Sequence, residues 1–291
     1  MTPPNQPRAQ SQARDKSQPR DQPQSKAQRR AEAQRRAAEK RAAELRRKRA
    51  RTWTRVGLVG GVLALVIVLI VVLTGGNSSS GPVPPQFKNP HLSLQPIPAS
   101  MSSTWVQPPA GSPGPETIPV PSGPKLATLI NAATGQTINN VQCQAGEQTQ
   151  VHVHTHLTIF VNGKAQVIPY GVGIPGFQAV STAQGPFVET GSCFYWLHVH
   201  ANDGIVHIES PNTTDTYNLG QFFDEWGQPL STSQVGPAKG QVTVFFTSPG
   251  KTSGIYTGDP RNLPLGDHYE IQLDVGTPIV APVKVTNWGG L

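Results

Sequence analysis

The chain has 291 residues, of which 36% are hydrophobic and 14% charged, and its net charge of +7 is unevenly spread. Residues 1–55 hold 17 Lys and Arg against 5 Asp and Glu, so this arm carries +12 and the remainder −5. Overall basicity is therefore no argument that the C-terminal part binds nucleic acid, and the remaining length suffices for one domain with its own core.

Residues 1–30 are Gln, Pro, Ser, Arg and Lys with almost nothing apolar, and are expected to be a disordered polar arm. Residues 31–54 shift to Ala, Arg, Glu and Gln and predict a basic, charged helix, with Glu32–Arg36 and Glu44–Lys48 spaced i,i+4. Residues 55–74 predict a single transmembrane helix. Its centre, Val56 to Leu73, is 18 uncharged residues, about 27 Å as a helix and enough to span a bilayer. The run is too long and begins too late for a secretory signal. The Arg/Lys cluster from Arg46 to Arg55 holds the N-terminal side in the cytoplasm, leaving the C-terminal mass outside. The lipid bilayer is thus an expected partner. No groove-reading motif accompanies the basic arm, and no nucleic acid is expected on the outer domain. Residues 75–124, with 13 prolines from Pro82 to Pro124, predict an extended Pro/Ser/Gly-rich linker.

Residues 125–291 carry β-like punctuation. Gln150–Val161 alternates, with His152, His154, His156, Thr158 and Phe160 on one face, and Asn162-Gly163 turns it back through Ala165–Tyr170. Cys193–His200, Ile205–Ser210, Gln241–Ser248 and His268–Val275 read as further strands. Only Tyr217–Trp226 has helical spacing, with Leu219, Phe222, Phe223 and Trp226 at i, i+3, i+4 and i+7. The expected fold class is mainly β: a small antiparallel sandwich or barrel with one short helix.

Six of the eight histidines fall in two short segments of this domain. On one side of a strand, His152, His154 and His156 stand about 6.6 Å apart. The second segment, Tyr195 to Glu209, is a hairpin. With Asp203-Gly204 as a two-residue turn, His200 faces His207 and His198 faces Glu209. With Asn202-Asp203 as the turn, His198 faces His207 instead. Either way the rings share a face. Imidazoles on rigid strands beside a carboxylate form first-row transition-metal chemistry, so His152, His154, His156, His198, His200, His207 and Glu209 are the candidate ligands. The foremost are His154, His198, His200 and His207. His268 and Glu270 share another strand face and could support the site. The domain contains no Met, which argues against a thioether Cu(I) carrier; imidazole with carboxylate suits Cu(II), Zn or non-haem Fe, and copper or zinc is the expected ion. Cys143 and Cys193 are the only cysteines. A disulfide is expected outside the cell, with a thiolate ligand at Cys193 as the opposed alternative.

The strings Val141-Gln-Cys143, His152-x-His-x-His156-Leu, Cys193-Phe-Tyr-Trp-Leu-His-x-His200, Gly204-Ile-Val-His-Ile-Glu209 and Leu219-Gly-Gln-Phe-Phe-Asp224 resemble an uncharacterised family of bacterial and archaeal exported, His-rich β domains. The resemblance covers roughly residues 139–280. It implies an exported module and supplies no activity.

The expected function is a single-pass, membrane-anchored extracytoplasmic domain that binds copper or zinc for sequestration, sensing or delivery. One alternative is a metal-dependent hydrolase or oxidoreductase built on the same His/Glu site, with Glu209 or Glu270 as base. Another is a non-metal partner-binding or adhesion module. No nucleophile elbow, phosphate loop or His-Glu-x-x-His motif is present.

Overall fold

In the computed structural model, residues 83–88, 90–129 and 133–291 are described. The expected arm, basic helix and transmembrane helix (1–30, 31–54, 55–74) lie outside them. Among the described residues no helix is long and apolar enough to cross a membrane.

The fold is mainly β, built on one seven-stranded sheet with several two- and three-stranded ribbons around it. Strands β1 (Ser112–Pro113) and β2 (Pro119–Val120) form a small hairpin. The sheet itself comprises β3 (Val151–Val161), β4 (Lys164–Gln166), β5 (Leu197–His198), β6 (Ile205–Ser210), β7 (Val242–Thr247), β8 (Gly254–Tyr256) and β9 (Tyr269–Val275). Its order is β8-β7-β9-β3-β6-β5, and β4 pairs the far end of β3. The long strand β3 is the axis. Its first half pairs antiparallel with β6 and its last part with β4 through the Asn162-Gly163 turn, both of whose residues have positive φ.

Two expectations are corrected here. The sheet is mixed, because β9 runs parallel to β3 from Tyr269↔Thr155 to Val275↔Val161, and it does not close into a barrel. Alternation specifies a strand's faces but not its neighbour's direction, so a parallel partner arriving 114 residues after Thr155 leaves no local signal.

The second correction concerns the linker. Its described part, residues 83–88 and 90–124, lies on the domain. Phe87 and Ile118 are buried, Gln95 exchanges backbone hydrogen bonds with Ile255, and Val106 bonds Ile279 and Ala281. Pro108, Pro109, Pro119 and Pro121 line a groove of about 370 Å³ with His156, Thr158 and Phe160, so this strap lies over the histidine face of β3. A free linker and a surface strap are both extended and proline-rich. Composition alone cannot separate them.

The two faces of β3 divide the work. Val151, Val153, Leu157 and Ile159 enter the main core with Ile208, Ile271 and Leu273. On this core sits α1 (Leu219–Trp226), one residue-pair shorter than predicted. Asn218 caps it reciprocally with Gln221, and Gly227 ends it in the left-handed conformation. Leu219, Phe222, Phe223 and Trp226 are all fully buried, as their spacing requires.

Candidate metal centre

Strand pleating carries His152, His154 and His156 to the face opposite the core. Antiparallel pairing then sets His207 against His154 and Glu209 against His152. On the other side of β6, His207 pairs with His198. The hairpin therefore adopts the register in which His198 faces His207, and the alternative with His200 opposite His207 is discarded. Beyond β5 the chain leaves the sheet, and this departure brings the His200 ring back over the cluster.

The result is a close-packed group. His198 Nε2 and His200 Nε2 are 3.0 Å apart, and His154 Nε2 and His207 Nδ1 are 3.2 Å apart. Glu209 Oε1 lies 3.2 Å from His152 Nε2, 3.4 Å from His207 Nδ1 and 3.7 Å from His198 Nε2. Its other oxygen, Oε2, is buried without a hydrogen-bond partner. All these residues are buried except His152, whose side chain is 36% exposed and marks the open side. The ligand atoms of His198, His200, His207 and Glu209 lie within 4.8 Å of one another, as do those of His152, His154 and His207.

Backbone carbonyls fix the tautomers. His198 Nδ1 donates to Tyr195 O at 2.8 Å and His200 Nδ1 to Val188 O at 2.5 Å. A carbonyl only accepts, so both Nδ1 atoms carry hydrogen. Burial, and then the neighbouring imidazoles, hold His198 well below its ordinary pKa; burial and His207 bring His200 down to about 4. Near neutral pH both Nε2 atoms are thus bare lone pairs aimed at one another. Two such donors repel unless a cation joins them. Ligands about 2.0–2.1 Å from one ion stand about 2.9–3.4 Å apart for angles between square and tetrahedral, which brackets these separations.

His207 is held differently. Its Nε2 lies 2.6 Å from Glu116 Oε1, and its Nδ1 faces His154 and Glu209. Burial works against the charge on His207, but Glu116 and then Glu209 outweigh it and raise the pKa to about 10. Glu116 answers in kind: burial pushes it up, and His207 brings it below the usual carboxylate range. Behind it, burial and Glu116 push Asp203 up to about 8, keeping it protonated. This carboxylate–imidazole arrangement is the outer support that orients metal-ligating histidines.

Not every candidate joins. His156 turns away, with Nε2 3.1 Å from Asp203 O. His268 Nε2 lies 3.1 Å from Leu291 O, and its ring stacks on Trp288. Glu270 accepts the Val285 amide. Cys193 is bonded to Cys143, so the thiolate alternative is closed.

Two participants escaped the sequence reading. Glu147, 41% exposed, reaches within 3.4 Å of His200 Nε2. Glu116 arrives on the strap assigned to the linker. One signal for it existed: it is the sole carboxylate side chain between Glu44 and Glu147.

Comparison with protein-family models, with curated proteins and with solved structures finds no match for the chain.

Proposed function

We infer that the chain is a transition-metal-binding protein whose centre is formed by His198, His200, His207 and Glu209, with copper or zinc as the ion. The observation that carries this is the pair of neutral, carbonyl-fixed Nε2 lone pairs 3.0 Å apart on His198 and His200. Five imidazoles and a carboxylate, with no thiol or thioether among them, suit Cu(II) or Zn(II).

The rest of the reading is a membrane-anchored holder of that ion, for sequestration, sensing or delivery. The 18-residue apolar run supports a single-pass anchor with a cytoplasmic N-terminus. The Cys143–Cys193 disulfide supports an oxidising location for the domain. His152, His154, His198, His200, His207 and Glu209 all lie within the motifs shared with the exported-domain family, so membership of that family belongs to the same reading.

A metal-dependent hydrolase is the second reading, and Glu147 favours it. Burial and Glu209 raise the pKa of this half-exposed carboxyl beside His200, where it could take a proton from bound water.

The test is elemental analysis of the purified full chain after loading with Cu(II) or Zn(II) and desalting. Stoichiometric metal that is lost in a His198→Ala/His200→Ala variant is the expected result. No retained metal in the natural chain removes the proposal.

A further inference from the structure

The cluster holds more donors than one ion can use. A four-coordinate site needs four ligands, whereas His152, His154, His198, His200, His207 and Glu209 converge here, with Glu147 at the edge. They also divide. The ligand atoms form two compact sets rather than a single one, with His207 common to both.

His207 cannot serve two ions at once. Its Nε2 is engaged by Glu116, which leaves Nδ1 alone, and Nδ1 faces His154 at 3.2 Å. That nitrogen belongs with His152 and His154. The other set then keeps His198 and His200, whose Nε2 atoms face each other, with Glu147 Oε1 3.4 Å from the latter. Glu209 stands between the sets. Its Oε1 is within 3.4 Å of His152 and His207 on one side and 3.7 Å from His198 on the other. Its Oε2 is buried and unpartnered, so a second ligating oxygen is free. Carboxylates placed in this way bridge ions about 3.5–4 Å apart in two-metal centres.

We propose that the cluster is a dinuclear centre, one ion held by His198 and His200 with Glu147, the other by His152, His154 and His207, with Glu209 bridging them. This rests on the metal-binding reading above, and extends it to a pair of divalent ions by assigning His207, common to both ligand sets, to the second. The charges favour it: two dications meet three carboxylates, Glu116, Glu147 and Glu209. The partly exposed His152 and Glu147 leave the centre an approach from solvent.

The probe is Cu(II) alone, added to the full chain. Titration calorimetry and elemental analysis should give two ions per chain. Electron paramagnetic resonance should show an integrated intensity well below two isolated spins, because bridged Cu(II) ions couple. One ion per chain overturns the dinuclear proposal while leaving the metal-binding function intact, and no ion overturns both. Two ions with the full intensity of two separate spins overturn the bridge. A His152→Ala/His154→Ala variant, with folding checked by circular dichroism, should drop from two ions to one. Retention of two in that variant would place the second ion elsewhere on the chain and overturn the assignment.

Discussion

Glu116 Oε1 lies 2.6 Å from His207 Nε2, although 91 positions separate the two residues. This pair fixes which nitrogen of His207 faces the cluster. Replacing Glu116 by Gln keeps the size and weakens the acceptor. With the proton displaced from His207 accounted for, metal affinity should fall about 10- to 100-fold, the usual cost of losing such an orienting carboxylate, with the number of ions unchanged. Competition against a chelator measures it. Equal affinity in E116Q and the natural chain would contradict the orienting role.

The same pair sets a proton count. With its pKa raised to about 10, His207 is a cation at pH 8, and an ion reaching Nδ1 must displace that proton. His154, His198 and His200 are held neutral by burial and release none. Calorimetry in buffers of different ionisation enthalpy should show about one proton released per His207 ligated. Affinity should rise with pH up to about 10. In E116Q the release at pH 8 should largely vanish, since His207 then loses the partner that raises it.

Chelator-treated protein should be most stable near neutral pH. His156 and His200, lowered by burial to about 4, resist protonation in the fold, so their contribution is complete above the unfolded pKa near 6.5 and is lost as pH falls toward 4. For fully buried His156 that loss is roughly 3 kcal/mol. His207 has the opposite sign: its contribution is complete below about 6.5 and disappears as pH rises toward 10. Scanning calorimetry from pH 4 to pH 10 should therefore trace a dome. A melting temperature that keeps rising on acidification would contradict this balance.

The disulfide joins residues 50 apart and fastens the short pair Cys143–Gln144 and Phe194–Tyr195, from which the chain runs on to Glu147 and to His198. A Cys143→Ala/Cys193→Ala variant should lose about 4 kcal/mol on the chain-entropy account, measured by urea unfolding. Its metal affinity should fall too, because the tether sets the spacing of Glu147 and His200. A loss of stability with unaltered affinity would show that the bond serves the core alone.

Gly173 has φ +74°, and a Cβ there would stand 2.2 Å from Leu197 O and 2.9 Å from His198 Cβ. Gly173→Ala must displace the strand that carries His198. It should cost about 2 kcal/mol or more in stability and reduce metal affinity as well. Thermal melting together with chelator competition checks both.

Much of this arrangement was legible because it rests on strand parity. Alternation placed His152 and His154 together, and the shared face survived both hairpin registers, although only the structure chose His198 opposite His207. The helix was readable from the spacing of Leu219, Phe222, Phe223 and Trp226. What parity could not supply was anything brought in from outside the strands. The expected shared face of His268 and Glu270 does not form: His268 lies in the turn before β9 with φ +56°, and Glu270 on β9 bonds the Val285 amide, on the edge of β3 away from β6. Glu116 and Glu147 come from irregular chain, where position depends on tertiary packing and no period announces it.

The strap has a practical corollary for anyone dividing the gene. A fragment trimmed to begin at residue 125 would retain all six rings and Glu209 but forfeit Glu116, along with Phe87 and Ile118 from its packing. Such a truncation would report a looser grip than the intact molecule possesses, with fewer protons given up on loading. The cut belongs ahead of Val83.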